Sequence, residues 1–362
     1  MIVHQLLSGA GPHDAVTGQA LAYRRRFDAW GWGGRDHAAT ADPRLGRAVR
    51  PLHALEAAPT DVLLLHYSAH APGLAPLLKR PNPKALVFHN VTPARYFWDW
   101  DPITAVRCEV GREQLARFAP AVDLAVGVSA YNVAELEAAG ARETAVVPIL
   151  VEPARLGPPG PARAGAGPGP HLLFVGRLAP HKRQDELIRT LALLRAEHAT
   201  DARLTLVGAP ASAAYADGLR ALADRLAPGA VTIEHGLSAP ELADRYRAAD
   251  AFVCLSEHEG FCVPLLEAFH FGVPVVARPA GGIAEVAGDA ALLTEDADLA
   301  VVAELALAAA TDAELRGELI ARGRARLDEY EPAKVAAALR AALERVASGT
   351  WNATKPSGAP PS

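Results

Sequence analysis

Cysteine is scarce in this 362-residue chain. Cys108, Cys254 and Cys262 are the three, with no C-x-x-C or Cys/His metal spacing, so neither a disulfide framework nor a zinc site is expected and a reducing cytosol fits. No stretch approaches the roughly 20 consecutive apolar residues of a membrane span. The opening MIVHQLL has no basic segment ahead of a long apolar run and reads as a first strand rather than a secretion signal. A cytoplasmic chain is expected, touching the inner face of the cell membrane peripherally at most. Basic residues are outnumbered: the net charge is −5 and the pI about 6.2, which argues against nucleic acid as the main partner.

Apolar residues are plentiful, at 50% of the chain, and the length suffices for two domains with separate cores. Strand-like runs at 2–7, 62–66, 85–89, 124–128 and 146–149 alternate with helical patterns such as 15–30 and 107–119. That alternation predicts an α/β fold with a parallel sheet wrapped by helices. LGPPGPARAGAGPGP, residues 156–170, is almost pure Pro, Gly and Ala and reads as a linker. Strands then recur at 171–175, 204–207, 231–234, 251–255, 273–277 and 291–293, followed by a helical pattern over 296–346 that breaks near Tyr330-Glu331-Pro332. The expected plan is a first domain over 1–155, the linker, a second domain over 171–330, a last helix over 331–348 and a disordered tail over 349–362. Two such domains make a cleft, where a ligand is expected.

The richest stretch is SEHEGFCVPLLEAFHFGVPVVARPAGGIAEV, residues 256–286. A buried strand leads into a polar loop, Pro264 suits a first helical turn, Gly272 ends that helix and another strand follows. This βαβ unit places its loop at the carboxyl edge of the sheet, where open α/β folds bind ligands. Glu259 in the loop and Glu267 one turn into the helix can both face the crevice. Backbone N–H groups around Phe261, Cys262 and Val263 are available to an anion, and Gly281-Gly282 opens a second short helix in the same manner. Carboxylates beside anion cradles suit hydroxyls next to phosphates, as in a sugar nucleotide.

EGFCVPLLEAF with GVPVVA and GGIAEV resembles the donor site of the retaining glycosyltransferases of family 4. That family carries two glutamates eight positions apart, as Glu259 and Glu267 are. The resemblance implies the GT-B fold: two Rossmann-like, doubly wound domains facing a central cleft, with the C-terminal helix crossing back to the N-terminal domain. It makes the first domain the acceptor side and the second the donor side. GRLAPHKRQDELI, after the strand 171–175, extends the likeness. Arg177 and Lys182, just past Gly176, emerge at the carboxyl edge, where fixed cations stabilise a departing diphosphate. Arg183 stands where the family commonly has glycine and is expected to turn to solvent; Cys262 stands where the family commonly has glycine in EGFG. HNVTPARY follows the strand 85–89. His89 can hydrogen-bond a sugar or an acceptor from a strand end, and the HN-x-TP string is similar to that of cell-envelope and polysaccharide glycosyltransferases. His66 holds the same topological place one strand earlier.

Two other strings are set aside. The D-x-D in Trp98-Asp99-Trp100-Asp101 lies away from the nucleotide contacts and reads as acceptor-side loop, so no metal is expected. Gly9-Ala-Gly11-Pro-His-Asp14 lacks the third glycine of a dinucleotide fingerprint and reads as a flexible loop near phosphates or acceptor. Arg24-Arg25-Arg26 reads as a solvated helix rather than a membrane face. The resemblance thus implies a metal-independent hexosyltransferase without a cofactor, using a nucleoside diphosphate-sugar donor and a glycan or lipid-linked acceptor. Catalytic roles fall to Glu259, Arg177, Lys182 and His89. Donor contacts fall to Glu267, Gly260, Phe261, Cys262, Val263, Gly176, Gly281 and Gly282, and the acceptor side to Asn90, Thr92, Gly11, Asp14 and His66. A sugar-nucleotide epimerase or hydrolase of the same fold, or a non-catalytic nucleotide-binding module in an envelope-biosynthesis complex, are the alternatives.

Overall fold

The computed structural model describes residues 1–12, 14–159, 168–295 and 298–349. Seven strands form the first sheet: β1 (Val3–Leu7), β2 (Asp36–Ala38), β3 (Arg50–Pro51), β4 (Val62–Tyr67), β5 (Lys84–Phe88), β6 (Leu124–Gly127) and β7 (Thr144–Val146). Their order is β3-β2-β1-β4-β5-β6-β7, and every pairing is parallel. The second sheet has six: β8 (His171–Val175), β9 (Arg203–Val207), β10 (Val231–Glu234), β11 (Ala251–Cys254), β12 (Val275–Ala277) and β13 (Ala291–Leu293). Its order is β10-β9-β8-β11-β12-β13, again all parallel. Both orders reverse next to the sheet's first strand, β1 or β8, which creates the switch point where open α/β sheets take ligands. Apolar runs such as Val62–Tyr67, buried at all six positions, follow from a sheet covered on both faces.

The helices are α1 (Ala15–Ala29), α2 (Pro102–Phe118) and α3 (Ala130–Ala138) beside the first sheet. Those of the second half are α4 (Gln184–Glu197), α5 (Ala213–Leu226), α6 (Ala239–Ala248), α7 (Val263–His270), α8 (Ile283–Ala287), α9 (Leu299–Thr311) and α10 (Ala313–Glu329). The last, α11 (Pro332–Ser348), lies against β4 and β5 of the first sheet, with the Arg340 guanidinium over the rings of Trp30 and Trp32 at 5.6 and 5.9 Å. Residues 160–167 of the expected linker and 350–362 of the expected tail lie outside the described residues.

Several elements differ from the sequence reading. The strands β2 and β3 span three and two residues, too short to carry a period. Strand β7 ends at Val146 rather than starting there, because Pro148 has no N–H for a ladder. Helix α2 begins at Pro102, not 107, because the Asp101 carboxylate accepts from Thr104 N (3.0 Å) and Thr104 Oγ1. The helical pattern after 296 is broken at Asp312 as well as at Pro332: Asp312 ends α9 and caps α10 through Glu314 N and Leu315 N. Of the three arginines of α1, Arg25 is exposed as expected, whereas Arg24 and Arg26 are partly buried in ion pairs. Arg24 pairs with buried Asp36 at 2.7 Å, and Arg26 and Arg25 converge on Glu152 at 2.9 and 3.8 Å.

Candidate active site

The carboxyl edge of the second sheet brings two loops together. After β8, Gly176 takes φ +155°, a value that favours glycine, and a short 3₁₀ turn, Pro180–Lys182, presents Lys182. After β11, the loop presents Glu259, and the Lys182 ammonium is ion-paired with its carboxylate, both side chains being largely buried. Burial alone would push the Lys182 pKa down; attraction from Glu259 outweighs it, so the pKa is raised and the ammonium stays charged. Arg177 is not part of this ion pair. It is exposed, makes no ion pair among the described residues, and its charge is felt by Asp101 and Cys108 of the first domain. Arg183 does not turn to solvent. It caps α4 from left-handed backbone (φ 53°) and its guanidinium pairs with Glu186, Asp185 and Glu257.

Cys262 also holds left-handed backbone (φ 79°) immediately before α7, which accounts for glycine being a natural residue at such a place. Its thiol is buried, and burial pushes its pKa well up, against the lowering that an exposed thiol at a helix N-terminus would have. Among the described residues, neither Phe261 N nor Cys262 N donates to a backbone carbonyl, and Val263 N belongs to the free first turn of α7. These N–H groups remain available to an anion. The Phe261 ring itself turns inward, edge-on to Tyr330 at 5.5 Å.

The Gly281-Gly282 loop is close-packed against this loop rather than open. Gly282 N donates to Glu259 O at 2.9 Å, so that N–H is not free for a phosphate. A Cβ on Gly281 would come within 2.1 Å of Glu259 O, and one on Gly282 within 2.4 Å of Gly260 O. The two glycines therefore shape the donor loop from behind. One turn into α7, Glu267 accepts from Tyr246 Oη at 2.6 Å. Burial raises its pKa more than that hydrogen bond lowers it.

Across the cleft, His89 follows β5 and lines a cavity of about 440 Å³ together with Gln19, Ser68, Val263 and Glu267. His89 and Glu267, from different sheets, thus share one cavity. The remaining first-domain candidates are placed otherwise. His66 is 1% exposed inside β4, behind His89, and does not face the cleft. Asn90, in left-handed backbone (φ 78°), is occupied: its Nδ2 donates to Asn132 Oδ1 and Glu135 Oε2, and its Oδ1 accepts from His258 Nε2 at 2.8 Å. Asp14 is the N-cap of α1, accepting from Thr17 N and Thr17 Oγ1, and Gly11 N donates to the same Thr17 hydroxyl, so this is a fastened turn rather than a free loop. Thr92 is half-buried beside buried Val91.

His258, Ser129 and Glu285 were not singled out from the sequence, yet they join the halves. Besides the His258–Asn90 bond, Ser129 Oγ donates to Gly260 O at 2.7 Å and Ala130 N, at the start of α3, donates to Glu285 Oε2 at 2.6 Å. A Cβ on Gly260 would lie 3.0 Å from Asn90 Cβ and 3.1 Å from His89 O, so the donor loop rides directly on the HN string. A polar residue next to a motif glutamate was the one signal available for His258.

Among the described residues, one donor set could hold a soft cation: Cys254 Sγ, Cys262 Sγ and a Glu259 carboxylate oxygen lie within 4.8 Å of one another. The Lys182 ammonium is already paired with Glu259 there, so a metal would have to displace it. In the D-x-D string, Asp101 is committed to capping α2.

Residues 165–326 match the family described as Glycosyl transferases group 1. A GDP-mannose-dependent alpha-(1-6)-phosphatidylinositol monomannoside mannosyltransferase of Mycolicibacterium smegmatis is 31% identical over 251 residues, 63% of this chain and 62% of that protein. A D-inositol 3-phosphate glycosyltransferase of Actinosynnema mirum is 36% identical over 187 residues, 48% of this chain and 44% of that protein. The chain spans less than half the length of the inositol 3-phosphate glycosyltransferases it matches. Among solved structures, HepE of Anabaena in complex with UDP-glucose superimposes with a TM-score of 0.74 at 16% identity, covering 96% of this chain and all of that one. Sucrose-phosphate synthase of Thermosynechococcus elongatus gives 0.75 at 17%, covering 97% and 100%. At such identities the likeness is one of fold.

Proposed function

We propose that this chain, which has the GT-B fold and whose residues 165–326 belong to the glycosyl transferases group 1, is a retaining, metal-independent glycosyltransferase of family 4. It moves a hexose from a nucleoside diphosphate-sugar to a cell-envelope, polysaccharide or glycolipid acceptor. The observation that carries the reading is the Lys182–Glu259 pair at the carboxyl edge of the second sheet, beside the open N–H groups of Phe261 and Cys262. When the sugar–phosphate bond breaks, negative charge collects on the diphosphate. A charged ammonium and a helix N-terminus stabilise that charge. Glu259 releases Lys182 to the diphosphate and turns its carboxylate to the sugar hydroxyls, while Glu267 takes the ribose hydroxyls in place of Tyr246. The Arg177 guanidinium, in no ion pair among the described residues, swings to the diphosphate from the first-domain side. His89 positions the sugar and the acceptor.

The relatives' names favour a glycolipid or polyol acceptor, since they act on phosphatidylinositol mannoside and inositol phosphate. The test supplies purified protein with UDP- and GDP-sugars, with and without candidate acceptors, in excess EDTA. Acceptor-dependent release of nucleoside diphosphate, with the product anomer matching that of the donor, is expected. Interconversion of free donor would make the protein an epimerase, and loss of turnover in EDTA restored by magnesium or manganese would remove metal independence.

A further inference from the structure

A buried chain of polar side chains runs from α1 to the cleft through the first sheet. Arg24 Nε and Nη2 donate to Asp36 Oδ1 at 3.0 and 2.7 Å. Gln5 Nε2 donates to the same oxygen at 2.9 Å and to Ala20 O at 2.7 Å. Gln5 Oε1 lies 2.9 Å from His66 Nε2, and His66 Nδ1 lies 2.9 Å from His89 Nε2. Gln5, His66 and Asp36 are 0%, 1% and 3% exposed.

The direction of every bond in this chain is determined. A carboxylate and a backbone carbonyl only accept, so the amide nitrogen of Gln5 must face Asp36 and Ala20 and its oxygen must face His66. That oxygen also only accepts, so His66 Nε2 carries a hydrogen. Burial, with His89 adjacent, holds His66 neutral, so its Nδ1 is bare and accepts. The hydrogen between the two rings must then sit on His89 Nε2. Burial holds His89 neutral as well, its pKa pushed down to about 4. Its remaining nitrogen, Nδ1, is therefore bare, and among the described residues it has no hydrogen-bond partner, on a ring that lines the 440 Å³ cavity.

We infer that Gln5, Asp36 and His66 are positioning residues that lock His89 in the Nε2–H tautomer, so that it offers the cleft a hydrogen-bond acceptor and selects a hydroxyl there. A carbonyl or phosphate oxygen, which brings no hydrogen, is refused. The hydroxyl being one of a sugar rests on the function proposed above; the tautomer does not.

The experiment is imidazole ¹⁵N NMR on the full chain labelled at histidine. In the ligand-free protein, His89 is expected to show a protonated Nε2 and a bare Nδ1, and His66 the same. Gln5→Met, which keeps volume but removes the acceptor, is expected to unlock both rings into tautomer mixtures and to lower kcat/KM by roughly 5-fold, the worth of one hydrogen bond. Should that variant not fold, the wild-type spectrum decides alone. Adding UDP-glucose, but not UDP, should move the Nδ1 resonance toward the protonated position without protonating it. A protonated Nδ1 in wild type, or an unchanged tautomer in folded Gln5→Met, overturns the lock even if transfer is observed. A protein that transfers nothing leaves the lock standing, and an Nδ1 signal unmoved by the sugar nucleotide overturns the hydroxyl selection.

Discussion

Asn90, Arg183 and Cys262 hold left-handed backbone, and each sits in the loop that follows a central strand, β5, β8 or β11. Such backbone costs roughly 1–2 kcal/mol per non-glycine residue, and two of the three sites show what offsets it. Asn90 ties the first domain to His258, and Arg183 gathers three carboxylates. Cys262 has the Cys254 thiol and the Glu259–Lys182 pair around it. Buried there, Cys262 should resist iodoacetamide in the native protein and react only on unfolding, as peptide mapping of native and urea-treated samples will reveal; native-state labelling of Cys262 ahead of the others would contradict its inward placement. Lys182→Ala should lower kcat/KM by about 10²-fold or more, the scale of losing a transition-state charge partner. Steady-state kinetics at wild-type rates in that variant would remove Lys182 from the diphosphate site.

At the scale of elements, the donor loop between β11 and α7 is held from two sides. Gly282 N and the contact surface of Gly281 support it from behind, and Ser129 Oγ fastens Gly260 O from the first domain. Gly281→Ala would place a Cβ 2.1 Å from Glu259 O at a φ of +61°. The loop must move, and with it Glu259. A loss of about 3 kcal/mol in urea unfolding, with activity falling further than stability accounts for, is expected; an unchanged unfolding midpoint would mean the loop is looser than its contacts imply. How much of these elements can be read in the sequence depends on their length. Strand β8 and helix α4, with its buried Leu187, Ile188, Leu191 and Leu194, follow from their own patterns. Strands β2 and β3 do not, because two or three residues contain no period; β2 forms on the edge of β1 and β3 on the edge of β2.

For the molecule as a whole, burial of histidines makes stability depend on acidity. His89 and His258 are pushed down by burial to about 4 in the folded chain, from an ordinary 6.5. The unfolded chain therefore binds protons first as pH falls. Their contribution is complete above pH 6.5 and is lost as pH drops toward about 4, on the order of a few kcal/mol in all. Thermal unfolding should show the midpoint falling steadily below pH 6.5, and His258→Gln should flatten that fall. A midpoint constant from pH 7 to 4.5 would exclude the burial described.

The sequence by itself determined the α/β class, the alternation of strands and helices, and the place of the two glutamates and Lys182. All of these depend on neighbours within one βα unit, where spacing is geometry. Tertiary structure alone decided the partners that span tens or hundreds of residues: Lys182 with Glu259, Asn90 with His258, Gly282 with Glu259 O, and His66 behind His89 instead of beside the cleft. The physical reason is that a polar side chain's role is set by what satisfies it once buried, and only the packed chain brings that partner within reach.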